Sequence, residues 1–187
     1  MSVVLGLVGL LAFVGLIVWF IVWYVRKAQA RYAQLWPPLA ALVGGAYKGH
    51  SMSGTYRGFP VRARLNAVSD GDNGTDYFWE VRLTAAAGGR DWKLQYGGER
   101  LLGFGEKRWH VAAKDDALKQ RLAGTGLLAE MTNWGAHPTV AYKAKSGEFE
   151  YSEPARGAFD FPTPERFGAQ LELLARLALV NRQVNAA

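Results

Sequence analysis

The chain has 187 residues, 50% of them hydrophobic, a formal net charge of +6 and no cysteine. The lack of cysteine excludes disulfides, thiolate metal sites and cysteine nucleophiles. Once an apolar leading segment is set aside, the remaining length supplies one domain with a real core and is too short for two.

Residues 3–25 contain no charge, Asn, Gln or Pro. At about 1.5 Å per residue they reach about 34 Å, enough for a hydrocarbon layer of about 30 Å. Only Met1 and Ser2 precede the run, and it ends in Trp23, Tyr24, Val25, Arg26 and Lys27. A cleaved leader needs a basic start, a shorter apolar stretch and a small-residue cleavage site. Residues 1–25 are therefore predicted to be a retained transmembrane anchor. Arg26, Lys27 and Arg31 follow it and nothing basic precedes it. The positive-inside rule then predicts a single-pass protein of the inner (cytoplasmic) membrane, N-terminus out and C-terminal domain cytoplasmic. Trp19, Trp23 and Tyr24 collect at the same end, where amphipathic rings favour the headgroup zone. Gly6, Gly9, Ala12 and Gly15 recur every third residue, either as a ridge on which a partner helix could approach closely or simply because glycine is common in membrane helices. The whole net charge lies after residue 25, where it suits anionic lipid or equally nucleic acid, and charge alone does not choose between them.

Residues 26–45 are expected to form a helical juxtamembrane stalk. Helical composition continues to Trp36, Pro37-Pro38 is predicted to stop the helix, and Pro38 to open a short second helix over 39–43, closed by Gly44-Gly45.

Residues 46–187 are expected to form one cytoplasmic domain. Alternation of period two predicts strands over 52–57 and 60–67, joined as a hairpin across Gly58, and over 77–85 after the Asp, Asn and Gly-rich turn at 69–76. Gly88-Gly89 turns the chain into a strand carrying Trp92, Leu94 and Tyr96, and a fifth strand is expected over 107–112. Asp115 or Asp116 is expected to cap a short helix ending at Gly124, with another helical segment over 127–134. A hairpin follows from 139–144 and 148–151, turning at Lys145-Ser146-Gly147. Thr163 as N-cap and Pro164 at the first position then open a helix that places Phe167, Leu171, Leu174 and Ala178 on one buried face. One-faced strands with helices at the end of the chain indicate an α+β class: an N-terminal transmembrane helix, then a small antiparallel sheet packed with short helices and a C-terminal helix.

Most chemistry-bearing patterns fail their spacing. Residues 49–54 resemble a nucleophile elbow but carry Ser53 where glycine is needed, and strands follow instead of a helix. Residues 124–129 match a dinucleotide fingerprint literally but follow a helix, so a helix C-cap is the expected structure. Asp70, Asp72 and Asp76 lack the partners of a calcium loop, because Gly74 and Val81 occupy the required ligand positions. His50, His110 and His137 are isolated. No catalytic, metal-binding or cofactor-binding residue is assigned. Arg57, Arg62, Arg64, Arg82 and Lys93 fall out of phase with the apolar strand positions and are expected on the polar sheet face. There they either meet an anionic ligand or are balanced by Glu80, Glu148 and Glu150 as an ordinary solvated face. Nucleic acid is disfavoured, since Phe78 and His110 are the only rings expected on that face. Phe104, Trp134 and Phe159 stand in loop-like stretches as candidate interface anchors.

The layout resembles that of bacterial single-pass membrane proteins, an arrangement that carries no function with it. The expected function is a non-catalytic membrane-anchored accessory or scaffold subunit of a larger membrane complex, with other membrane subunits as partners. The alternatives are a membrane-proximal module for anionic lipid or an acidic ligand, and an enzyme built on convergent residues such as His50, Ser51 and Asp115.

Overall fold

The computed structural model describes residues 2–69, 71, 74–97, 108–114, 116–132 and 137–185. The fold is α+β. It has one long N-terminal helix, an eight-stranded sheet, short helices and a C-terminal helix.

The first helix, α1 (Ser2–Leu42), runs unbroken through Pro37 and Pro38. The expected break at these prolines, and the separate helix over 39–43, are corrected by this continuity. A proline removes an amide donor and crowds the preceding turn, at a cost of about 3 kcal/mol in a helix interior. Here tertiary packing outweighs that cost. Trp36, Leu39, Ala40 and Val43 are buried in the domain core, and burying each of the larger side chains contributes about 1.5–3 kcal/mol. The helix is thus pinned on both sides of its prolines.

The strands are β1 (Ala46–Lys48), β2 (Ser51–Tyr56), β3 (Phe59–Ser69), β4 (Thr75–Thr84), β5 (Trp92–Gly97), β6 (Arg108–Ala113), β7 (Thr139–Lys143) and β8 (Glu148–Ala155). All pairings are antiparallel, in the order β1-β2-β3-β4-β8-β7-β5-β6. The first four strands form a meander. The β2–β3 turn is Arg57-Gly58, with φ of 50° and 84°, the left-handed pair that matches the twist of a tight hairpin. The final hairpin then inserts between β4 and β5. The 85–91 connection is held against it by amide bonds from Ala85 to the Gly147 carbonyl and from Gly88 to the Ala144 carbonyl. The Tyr142 hydroxyl also donates to the Gly88 carbonyl at 2.7 Å.

The register aligns one apolar row across seven strands: Met52, Ala63, Val81, Tyr151, Val140, Leu94 and Val111. Among the described residues, helices cover this face and not the other. The end of α1 lies over β1 and β2, and α4 (Pro164–Asn185) over β4 and β8. The pair α2 (Asp116–Gly124) and α3 (Leu127–Thr132) lies over β6. Thr163 caps α4 by accepting the Arg166 amide at 3.3 Å. The helix buries Phe167, Leu171, Leu173, Leu174, Leu177 and Ala178. At β2 a glycine is required: a Cβ on Gly54 would stand 2.6 Å from Val43 Cγ2. Its absence lets the end of α1 seat on the sheet, where the Thr55 amide reaches the Val43 carbonyl at 2.7 Å.

Candidate functional site

Three places carry unusual chemistry: the bare helix, its junction with the domain, and the polar face of the sheet.

The segment Phe13–Leu42 is the described helix long and apolar enough to cross a membrane. From Phe13 to Val25 its large apolar side chains are 42–65% exposed, so they need a covering that the domain does not provide. Trp19, Trp23 and Tyr24 are among them. The Lys27 ammonium lies 4.9 Å from the Trp23 ring centre, a cation–π contact at the end of the apolar segment. Gly15 has open space where a Cβ would stand. The surroundings of Gly6, Gly9 and Ala12 lie outside the described residues.

The junction is built on Tyr32 and Trp36. The Tyr32 hydroxyl donates to the Ala158 carbonyl at 3.2 Å. Its ring meets Phe159 at 5.1 Å and Phe161 at 6.0 Å, and the edge of His50 at 4.7 Å. Trp36 packs on Trp79 at 5.7 Å and edge-on to Phe161 at 4.8 Å. Its indole nitrogen is buried with no acceptor among the described residues. Arg31 lies over the Phe159 ring at 5.0 Å. Phe159 is therefore a contact between loop and helix. Phe104 and Trp134 lie outside the described residues.

Behind the junction sits a polar cluster that alternation alone did not reveal. Glu153 is buried on the core face and accepts from Arg166 at 2.6 Å, from the Tyr151 hydroxyl at 2.7 Å and from Gln170 at 3.1 Å. Gln170 in turn accepts from the Trp79 indole at 2.9 Å. Burial, reinforced by the Glu153 charge, pushes the Tyr151 phenol far above its ordinary range. Burial opposes the charge on Arg166, but the Glu153 carboxylate more than offsets this and raises its pKa. A signal was present: Glu153 follows Phe149 and Tyr151 in the apolar phase of β8, and Gln170 stands on the apolar face of α4. A second buried indole, Trp92, donates to Asn181 at 3.1 Å.

The polar face is a charge network. Glu80 accepts from Arg64 at 2.7 Å and from Asn66 at 2.9 Å. Arg82 stands 3.6 Å from Glu80, 3.6 Å from Glu148 and 3.7 Å from Glu150. Lys143 reaches Glu150 at 2.6 Å. Burial raises the Glu150 pKa, but the Lys143 hydrogen bond and the Arg82 charge bring it below the ordinary carboxylate value. Arg62 lies beside Arg82 in the register, and neither it, Lys48 nor Lys93 has an ion pair among the described residues. A groove of about 470 Å³ lined by Lys48, Arg62, Arg64, Glu80 and Arg82 opens at the β1 end of this face. Arg57 is placed elsewhere: it sits in the β2–β3 turn and pairs with Glu172 of α4 at 3.0 Å. It is therefore not part of the polar-face cluster, because the turn carries its side chain toward the helix layer.

Of the residues considered for catalysis, His50 and Ser51 are described, and each makes a contact of its own. The Ser51 hydroxyl donates to the Lys48 carbonyl at 3.3 Å, and the ring contact of His50 is with Tyr32. Asp115 lies outside the described residues, as do Asp70, Asp72 and Asn73. His137 stacks on Tyr96 at 3.8 Å. No cluster of three metal-ligating side chains occurs among the described residues. At Gly124-Thr125-Gly126 the Thr125 hydroxyl caps the Leu122 carbonyl at 2.6 Å, and Gly126 has φ of 72°. That is helix-end geometry.

No family model matches the chain, and comparison with curated proteins and with solved structures returns no match.

Proposed function

We propose that this chain is a non-catalytic accessory or scaffold subunit of a larger membrane protein complex. In this reading α1 crosses the inner (cytoplasmic) membrane of a bacterial cell once, with its N-terminus outside and the domain in the cytoplasm. One observation carries the reading: a single helix runs from the exposed apolar segment into the domain core, locked by Tyr32, Trp36, Leu39 and Val43. A tethered enzyme is served by a flexible linker. A rigid one is useful when the domain must hold a set height and rotation beside a neighbour. The apolar surface of α1 supplies the docking element in lipid, and its flanking cations supply the orientation. Solubilisation in mild detergent followed by native mass spectrometry tests this. A stoichiometric partner is the expected result, and a chain that runs alone at every detergent concentration rejects it.

A second reading is favoured by Lys48, Arg62 and Lys93 on the polar face, which have no ion pair among the described residues: a membrane-proximal module for an acidic ligand. Replacing Arg62 and Lys93 by Ala is then expected to abolish retention on an acidic polymer resin, and unchanged retention rejects it.

A further inference from the structure

We propose that the elbow where α1 meets the domain is a docking surface for anionic lipid headgroups, formed by Lys27, Arg31, Phe159 and Arg156, and that it sets the tilt of the domain on the bilayer. This rests on the reading of α1 as a membrane span. Tyr32 is seven residues beyond Val25, or about 10 Å along the helix axis. Its partners Ala158, Phe159 and His50 therefore lie at about that height. The headgroup layer is about 5–7 Å thick on each side, so the 156–160 loop borders its outer edge. At this level Arg26, Lys27, Arg31 and Arg156 stand against Asp160, whose carboxylate already accepts the Arg156 amide at 2.8 Å, and against Asp76 at the start of β4. The surplus is cationic and lies well within the screening distance of about 8 Å at physiological salt.

The sheet face is the poorer lipid contact, although it holds more arginines. Trp36, eleven residues past Val25, is at about 16 Å, and it packs on Trp79. Arg64 and Glu80 pair one residue further along their strands, away from Tyr77 and the Tyr32 level. Their groove begins beside the β1–β2 hairpin at Lys48 and Ser51 and runs away from the Tyr32 level, and much of its charge is already neutralised by Glu80, Glu148 and Glu150. At the elbow, by contrast, no ion pair occupies Lys27, Arg31 or Arg156 among the described residues; Lys27 and Arg31 are held by the rings of Trp23 and Phe159.

The absence of cysteine makes the test clean. Single nitroxide labels are placed on the full chain at Gly157→Cys in the elbow loop, where a Cβ meets open space, at Ser53→Cys on the sheet face, and at Val18→Cys in α1. The chain is reconstituted in nanodiscs of phosphatidylcholine, with or without about one-third phosphatidylglycerol. Relaxation by a headgroup-tethered nickel lipid is expected to be at least about twofold stronger at position 157 than at 53, and to increase with phosphatidylglycerol. The combined substitution Lys27→Gln, Arg31→Gln and Arg156→Gln is expected to remove that increase while the circular dichroism spectrum stays unchanged. Equal relaxation at 157 and 53, or an increase that survives the triple substitution, overturns the proposal. If the label at 18 is instead open to a soluble relaxant and shielded from oxygen, the membrane span itself fails, which is a separate result.

Discussion

Glu153 occupies a position where β8 otherwise buries apolar side chains, and it holds three neighbours in place through one carboxylate. Replacing it with alanine leaves the Arg166 guanidinium, the Tyr151 hydroxyl and the Gln170 amide without their acceptor. The expected cost is about 2–3 kcal/mol, since Arg166 can still reach water. Glu153→Gln keeps an acceptor and is expected to cost less than half of that. Urea unfolding in detergent of both variants checks the order, and equal losses would show that the charge, not the acceptor, is what counts. The same cluster makes the domain sensitive to base. Tyr32 and Tyr56 join Tyr151 in having phenols raised above the ordinary 10.0 by burial, with Glu172 adding to the effect at Tyr56. The folded state keeps protons that the unfolded chain releases above that value. The stability these groups contribute is thus fully present below pH 10.0 and is lost as pH climbs past it. Melting temperature is expected to fall steeply above that point, and Tyr151→Phe to flatten the fall. A Tyr151→Phe protein with the wild-type slope would remove Tyr151 from this account.

At the scale of elements, local pattern and non-local packing divide the credit. Strands β2 to β8 and the start of α4 were legible because their signals are short-range: period-two alternation, the Gly58 turn, Thr163 before Pro164. β1 was not, since Ala46–Lys48 is an exposed edge with no alternation to read. The insertion of β7 and β8 between β4 and β5 was not either, because strand order is set by which apolar rows interlock across the sheet. The prolines misled for a related reason. Their local penalty is real, but the buried side chains on either side of them lie against residues distant in sequence, such as Trp79 and Phe161. Among the site residues, the polar face was legible from phase alone, whereas Arg57 followed its turn and the Glu153 cluster depended on α4. The α1–sheet contact gives a direct test at this scale. Gly54→Ala drives a methyl group into Val43 and is expected to cost about 1–3 kcal/mol as overpacking. Trp36→Ala is expected to cost about 3–5 kcal/mol, while Trp36→Phe, which also removes the unpaired indole N–H, costs much less. Thermal melts of the three variants read the ranking, and a tolerant Trp36→Ala would show that the helix is not held by the core.

For the whole molecule, the consequence of a continuous α1 is geometric. If the helix is a rigid shaft, the azimuth of the domain about the membrane normal is fixed by helical phase, and so is its height. Two alanines inserted after Lys27 turn everything beyond them by about 200° and raise it by about 3 Å. Four alanines turn it by about 400°, close to the starting direction, and raise it by about 6 Å. Both insertions fall between the apolar segment and Tyr32, outside the core contacts, so the thermal stability of the domain is expected to change by less than about 0.5 kcal/mol. Association with a partner subunit should nonetheless follow phase: lost with two residues, recovered in large part with four. The measurement is co-purification of each insertion variant from the same membranes, quantified against the unmodified chain. A flexible connection would give the opposite pattern, with both insertions tolerated alike or with losses that grow with length alone. Phase dependence is a property that only a structurally continuous helix can confer, because any hinge between Val25 and Trp36 would absorb the rotation. The experiment therefore separates a domain that is merely tethered near the bilayer from one that is aimed.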